Sequence, residues 1–300
     1  MKVTKTQNGI LITAWIVILA VALLEVILRE VFHYDISENN LFVIQTLIVL
    51  AGTMLTFFWG TIRPLRPFFG LFLVLIGSQW LVYTRIDQLP VFQSGLDNPS
   101  FNTSMLAEQI LNLIVTLIVI AYMYILKKKR KLFFLAAGDT SAPAEPVNWL
   151  GIKEAEKWAA VGRRFAIYLS LGTLVFLLIA GRPPVDIVIK ALPFLPAVLV
   201  YAALNAFNEE MTYKASFLAV LENIVGKHQA LLLLAAFFGL FHFYGIPYGI
   251  IGVLMAAFLG WFLGKSMLET RGIFWAWFLH FLQDVLIFAF LAIGSITAGG

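Results

Sequence analysis

The chain contains no cysteine and few charged residues. Of its 300 residues, 13% are Asp, Glu, Lys or Arg, whereas 61% are hydrophobic and the mean hydropathy is +0.89. The absence of cysteine excludes disulfides, thiolate metal ligands, a cysteine nucleophile, and palmitoylation or carboxyl-terminal prenylation of this chain. A soluble domain has more polar surface than this composition provides. The sequence therefore predicts a polytopic helical membrane protein.

Nine apolar runs are candidates for membrane-spanning helices, because crossing a bilayer takes roughly 20 helical residues. They cover residues 10–28, 41–59, 67–83, 105–126, 165–180, 192–207, 230–244, 247–268 and 273–293. The sixth and seventh runs are short, so we expect eight or nine spans, with nine preferred. The predicted fold class is all-α, a transmembrane helical bundle.

Basic residues predict the orientation of this bundle. With the amino terminus in the cytoplasm, the run 127–131 and most other Lys and Arg residues lie inside, as the positive-inside rule requires. The first run has no convincing cleavage site and is interpreted as a retained signal anchor. The net charge of +4 then needs no nucleic-acid partner. We expect an integral membrane protein, in the plasma membrane of a bacterium or the endoplasmic reticulum of a eukaryote.

A change in composition divides the chain into three parts. Residues 1–126 form a four-helix first block, residues 127–163 a basic cytoplasmic linker, and residues 164–300 a second block. Aromatic and charged residues alternate from Trp149 to Val161, which fits either a helix in the headgroup region or a plain cytosolic linker. The polar residues within the first block favour ordinary hydrogen bonding between helices; they are Gln45, Gln79, Gln109 and Asn112.

Ionisable residues concentrate in the second block, although a charge within a bilayer costs at least a few kcal/mol. Glu209 and Glu210 end the sixth run. Glu210 and Lys214 are four residues apart and share a helix face, so they are predicted to pair. Glu209 is turned about 100° away, towards the bundle interior. The spacing therefore predicts one structural and one reactive carboxylate.

Two histidines lie in later apolar runs. Phe238 precedes His242 by four residues, and His280 precedes Asp284 by four, so each pair shares one helix face. If the three helices converge, Glu209 can take a proton from water with the help of His242. His280 and Asp284 would then position a substrate carbonyl and stabilise its oxyanion. The predicted reaction is hydrolysis of a peptide bond.

These residues resemble the motifs of the CPBP or Abi family of intramembrane proteases, which includes the CaaX prenyl endopeptidases of the Rce1 type. The family motifs are EExxxR, FxxxH, and HxxxN or HxxxD. This chain has EEMTYK at 209–214, FGLFH at 238–242 and HFLQD at 280–284, in the same order. The resemblance covers roughly residues 190–290, which makes the second block a CPBP-like protease core.

The resemblance implies a water activated by glutamate, with His242 as partner and His280 with Asp284 as oxyanion support. It also implies a substrate that is a membrane-associated protein or peptide, with a carboxyl-terminal signal or lipid. Two positions need comment. Lys214 replaces the usual arginine and cannot form a bidentate fork on a carboxylate. An ionised Asp284 accepts hydrogen bonds but donates none.

Zinc is the minority interpretation of the same residues. Glutamate, aspartate and histidine are zinc ligands, and family members have been labelled metalloproteases. No HExxH places two ligands on one helix face, however. A metal-free mechanism without a cofactor is therefore preferred.

Other functional classes remain open. A non-catalytic relative, acting as an immunity or scaffold membrane protein, would explain the replacement of arginine by Lys214. A proton-coupled transporter would also use buried Glu and His, but the two blocks show no inverted repeat. Each charged residue taken alone also fits an ordinary helix end or a bond between helices.

Overall fold

The computed structural model describes residues 5–98 and 100–298, which are almost entirely helical. Ten helices form the scaffold: α1 Lys5–Ala22, α2 Glu38–Phe58, α3 Arg66–Leu81, α4 Phe101–Ile125, α5 Trp158–Gly181, α6 Leu195–Glu209, α7 Ser216–Val225, α8 Lys227–Phe241, α9 Ile250–Thr270 and α10 Phe274–Ala298. About 81% of the chain is helical, and two isolated bridges are the only β pairing within the described ranges. The predicted all-α class is confirmed.

Each of the nine apolar runs lies in a helical segment. Seven segments are long and apolar enough to cross a membrane, and eight if the bent pair Gln7–Ala22 and Leu24–Val31 is one span. The seventh run is α8, whose 15 residues extend about 22 Å, less than the thickness of a hydrocarbon core. Eight spans, the lower of the two predicted numbers, agrees with the structure, whereas the preferred nine exceeds it by this short helix.

The sixth run belongs to a much longer helix than predicted. One helical segment of 41 residues, Val185–Val225, contains α6, the π-helical turn Glu210–Ala215 and α7. Pro196 lies in the first turn of α6, where the missing N–H breaks no hydrogen bond. The segment ends at Gly226, whose φ of +83° terminates α7. Glu209 and Glu210 therefore lie within a continuous helix, not at its end as the sequence indicated.

The segment between α4 and α5 packs against the second block. The Asp139 N–H donates to the Thr270 carbonyl at 2.7 Å, and the Ile273 N–H donates to the Ala136 carbonyl at 2.8 Å. Residues 149–157 contain turns, and α5 begins only at Trp158. No α-helix lies within residues 149–157, and backbone hydrogen bonds fix the segment to the turn between α9 and α10.

A buried aromatic cluster joins the first block to the helix that carries Glu209. Phe72 of α3 contacts Phe217 of α7 and Phe237 of α8, with ring centroids 5.3 and 5.5 Å away. Phe217 and Phe237 stack on each other at 4.3 Å. Such pairs add about 0.5–1.5 kcal/mol each beyond the burial of their area. The first block is thus fixed against the part of the second block where the charges lie.

Candidate functional site

Glu210 and Lys214 form a buried ion pair in the π turn. Lys214 Nζ lies 2.8 Å from Glu210 Oε1, and both side chains are 0% exposed. Lys214 Nζ and Glu210 Oε2 each lack a hydrogen-bond partner among the described residues, so the pair is an ionic contact rather than a hydrogen bond. The predicted pair is present, although the turn that carries it is π-helical. Turns of this kind frequently occur at functional sites.

His280 of α10 connects the two glutamates to Asp284. Its Nδ1 lies 2.7 Å from Glu210 Oε1, within hydrogen-bond distance. Its Nε2 lies 3.7 Å from Glu209 Oε2 and 3.6 Å from Asp284 Oδ1, which is too long for direct hydrogen bonds. His280 and Asp284 are both buried. One imidazole therefore lies among three carboxylates, with Lys214 as the neighbouring fixed cation.

Asn205 bridges two of these carboxylates. Its Nδ2 donates to Glu209 Oε1 at 3.2 Å and to Asp284 Oδ2 at 3.1 Å. Asn205 was not among the predicted site residues. Its position one helical turn before Glu209 is a signal that could have identified it.

Glu209 is the accessible member of the cluster. Its side chain is 26% exposed, and it lines a cavity of about 60 Å³ between α4 and its own helix. A cavity of this volume has room for water. Its other lining residues are Asn112, Val115, Thr116, Asn208, Thr212 and Tyr213. Of the five predicted residues, Glu209 lines this cavity, whereas Glu210, His242, His280 and Asp284 do not.

His242 lies one residue beyond the end of α8, not inside a helix as predicted. Its Nδ1 is 2.7 Å from the Phe238 carbonyl. Because a carbonyl only accepts, Nδ1 carries the hydrogen and Nε2 is left as an acceptor. The Phe238 ring contacts the His242 ring at 4.3 Å and Lys214 Nζ at 3.5 Å. Phe238 therefore packs against the histidine of its own motif and makes a cation–π contact with the lysine of the first motif.

A polar ladder holds α4 against the helix of Glu209. Thr116 Oγ1 lies 2.9 Å from Thr212 Oγ1 and 3.1 Å from Asn208 Oδ1. Asn208 Nδ2 in turn donates to the Gln109 backbone carbonyl at 3.4 Å. Sequence analysis did not single out these threonines or Asn208, because their pairing spans more than 90 residues.

Two further hydrogen bonds connect the first block to the cavity wall. Gln79 Nε2 donates to the Tyr213 hydroxyl at 2.8 Å, and the Tyr83 hydroxyl donates to Asn112 Oδ1. The predicted bonding between helices is therefore present for Gln79 and Asn112. The side-chain amide of Gln109, by contrast, is buried with neither atom partnered within the described residues.

Zinc is the minority interpretation, and it requires three or more ligands that converge on one point. Within residues 5–98 and 100–298, no group of three or more His, Asp and Glu side chains is arranged to hold a metal.

Residues 191–286 match the family model described as type II CAAX prenyl endopeptidase Rce1-like. This Rce1-like region is about a third of the chain and contains all three motifs. The match confirms the resemblance drawn from the motifs, and it supports a protease of the CAAX type at the level of the family. It does not favour the non-catalytic alternative. Comparisons with curated proteins and with solved structures gave no match.

Proposed function

We propose that this integral membrane protein is an endopeptidase that cleaves a membrane-associated protein or peptide, with Glu209 as the base that activates water. The observation that carries the proposal is the contrast between adjacent carboxylates. Glu210 is sealed against Lys214, whereas Glu209 is partly exposed in a cavity large enough for water. A general base must reach its water, and of the two only Glu209 does so.

The proposed reaction begins with a water molecule beside Glu209. Glu209 removes one proton while the water oxygen attacks the carbonyl carbon of the peptide bond, which forms a tetrahedral oxyanion. The proton then passes from Glu209 to the amide nitrogen, the C–N bond breaks, and a carboxylic acid and an amine are released. His242 does not line the cavity, so in this proposal it supports the first step only through a water that also reaches its Nε2 acceptor.

His280 and Asp284 support the carbonyl oxygen in this proposal. Glu210 fixes the Nδ1 side of the His280 ring, so Nε2 points towards Glu209 and Asp284. Asn205 bridges Glu209 and Asp284 by donating to both. Substrates with a carboxyl-terminal signal or lipid suit a site within the membrane.

The experiment that tests this proposal is carboxyl-terminal peptide mapping of host membranes. Cells expressing wild type are compared with cells expressing Glu209→Gln at the same level. Glu154→Gln is the matched control, because Glu154 is an exposed carboxylate in the segment before α5. We expect a set of peptides that is present with wild type and the control and lost with Glu209→Gln. Identical maps for all three would overturn the proposal in favour of a scaffold or immunity role.

Chelation tests the metal-free form of the mechanism. We propose that turnover of a cleaved peptide by purified protein is unchanged by 1,10-phenanthroline. Loss of activity that is restored by added Zn²⁺ would contradict a mechanism based on Glu209 alone.

A further inference from the structure

The first block lies outside the Rce1-like region, yet it forms one wall of the cavity that Glu209 lines. Asn112, Val115 and Thr116 all belong to α4, and they face the residues of the π turn across the cavity. A substrate that reaches Glu209 through this cavity also contacts α4. The polar groups on that wall can therefore take part in binding or catalysis.

Among the site residues of the second block, only His280 Nε2 can support the oxyanion, so a further donor is needed. His280 Nδ1 is engaged by Glu210, and Nε2 faces two carboxylates. Asp284 adds no N–H when ionised. The amide of Asn205 is already shared between Glu209 and Asp284. Negative charge developing on a substrate oxygen would therefore meet more acceptors than donors among these residues.

Asn112 carries a free donor at the cavity. The Tyr83 hydroxyl donates to Asn112 Oδ1, which fixes the orientation of the amide. With the oxygen taken, the amide nitrogen is the remaining polar atom, and it makes no hydrogen bond to any described residue. Asn112 is half-buried near the middle of α4, away from both helix ends. A partially desolvated N–H group of fixed orientation is the kind of donor that stabilises an oxyanion.

We propose that Asn112 Nδ2 donates a hydrogen bond to the carbonyl oxygen of the cleaved peptide bond, and that Tyr83 is the positioning residue that holds its amide. This inference rests on the proposed function, because it assumes the hydrolysis at Glu209. It gives the first block a part in the reaction: α4 supplies an oxyanion donor opposite the base, and the turn after α3 orients it.

The test uses purified protein in proteoliposomes and an internally quenched peptide, synthesised with its lipid. Its sequence spans the cleavage site identified by a peptide that is lost from the Glu209→Gln map. Asn112→Leu removes the amide, and Asn112→Asp keeps the acceptor for Tyr83 but removes the donor. We expect each to lower kcat about 100-fold, with KM changed less than threefold, as for loss of one oxyanion donor. Asn102→Leu is the control, because Asn102 lies exposed in the first turn of the same helix.

Tyr83→Phe tests the positioning role separately. It removes one hydroxyl and leaves Asn112 free to rotate, so we expect kcat to fall about tenfold while KM stays constant. A Tyr83→Phe/Asn112→Leu double variant should be no slower than Asn112→Leu alone, because the two act through one hydrogen bond. A purely structural role for Tyr83 would instead add its effect to that of Asn112→Leu.

The outcomes separate the two proposals. If wild type and Glu209→Gln give the same membrane maps, the proposed function is overturned and this inference with it. If wild type cleaves the peptide, Glu209→Gln does not, and Asn112→Asp retains the wild-type kcat, only the role of Asn112 is overturned. Equal unfolding temperatures for wild type and Asn112→Asp establish that a loss of rate is not a loss of fold.

Discussion

His280 Nδ1 lies 2.7 Å from Glu210 Oε1, although the two residues are 70 positions apart in the chain. Glu210 thus contacts two groups, Lys214 within its own turn and His280 on α10. This carboxylate connects the long helix to α10 at the level of the reactive side chains. Its role in the structure is to set the orientation of the imidazole, while Glu209 remains accessible.

The buried ion pair predicts a non-additive effect on stability. Lys214→Met leaves Glu210 buried without its cation, and we expect the free energy of unfolding to fall by about 3–5 kcal/mol. The Glu210→Gln/Lys214→Met double variant removes both charges and should recover most of that loss, because the glutamine oxygen still accepts from His280. Equilibrium unfolding in detergent micelles measures both values. Equal losses in the single and double variants would show that the charge itself is not the cause.

Asn205 is expected to matter for both rate and stability. Asn205→Leu removes the donor shared by Glu209 and Asp284, and hydrogen bonds to charged groups contribute about 1.5–3 kcal/mol. We expect the free energy of unfolding to fall by about 1.5–3 kcal/mol. The cleavage rate should fall at least tenfold, because the two carboxylates lose the amide that bridges them.

Asn223→Leu is the matched control for Asn205→Leu, because Asn223 is exposed on α7 of the same long helix. Peptide cleavage and thermal unfolding are measured side by side for the two variants. A normal rate in Asn205→Leu would remove this residue from the site.

The segment before α5 should loosen in acid. Arg164 Nη1 lies 2.7 Å from Glu156 Oε1, and this hydrogen bond holds the pKa of Glu156 below its ordinary value of 4.5. A lowered folded-state pKa means that the stabilisation is present above pH 4.5 and is lost as pH falls through the folded-state pKa. The Lys153 N–H, which donates to Glu156 Oε2, should therefore lose protection in that range.

Hydrogen exchange of this segment, compared between wild type and Glu156→Gln at each pH, measures the effect without the intrinsic pH dependence. At pH 7 we expect faster exchange in the variant. Below the folded-state pKa of Glu156 the two rates should coincide. If the ratio of the exchange rate in Glu156→Gln to that in wild type stayed constant from pH 7 to the acid limit, the ion pair would not be the source of protection.

Gly138 and Gly151 both have a positive φ but differ in how closely other atoms approach them. Alanine substitutions at the two positions therefore measure backbone strain with and without steric crowding. Gly138 and Gly151 have φ of +81° and +69°. A Cβ at Gly138 would lie 2.7 Å from Gly272 Cα, whereas one at Gly151 would meet no atom within 4 Å. Gly151→Ala should therefore cost only the left-handed penalty of about 1–2 kcal/mol. Gly138→Ala should cost a further 1–3 kcal/mol or so through overpacking. Equal unfolding temperatures for the two variants would contradict this account.

The sequence was sufficient for features that lie within one turn of helix. The Glu210–Lys214 pair and the bonding potential of Gln79 follow from residue type and spacing. Features that depend on packing were not predicted. The contact of His280 with Glu210 requires α10 to approach the π turn, and no local pattern encodes that approach. The end of α8 just before His242 was also missed, because an apolar run continues through Phe243 and Tyr244.

The length of the sixth helix shows the same limit. Two glutamates and a lysine after an apolar run indicate a helix end, since isolated charges favour the membrane boundary. In the structure Glu210 and Lys214 are buried, Glu209 is only partly exposed, and the helix continues for ten residues of α7. The side chains that contact Glu210 and Lys214, His280 and Phe238, lie far away in the chain, so the local sequence does not predict that these charges are buried.

The π turn Glu210–Ala215 sets the rotational register between the two halves of this helix. Converting this wide turn to ordinary α-helical geometry without removing a residue would rotate α6 by about 100° relative to α7. Phe217 would keep its place in the aromatic cluster, while Glu209 would turn away from the cavity. The extra residue that the π turn accommodates therefore determines which face of α6 meets the cavity.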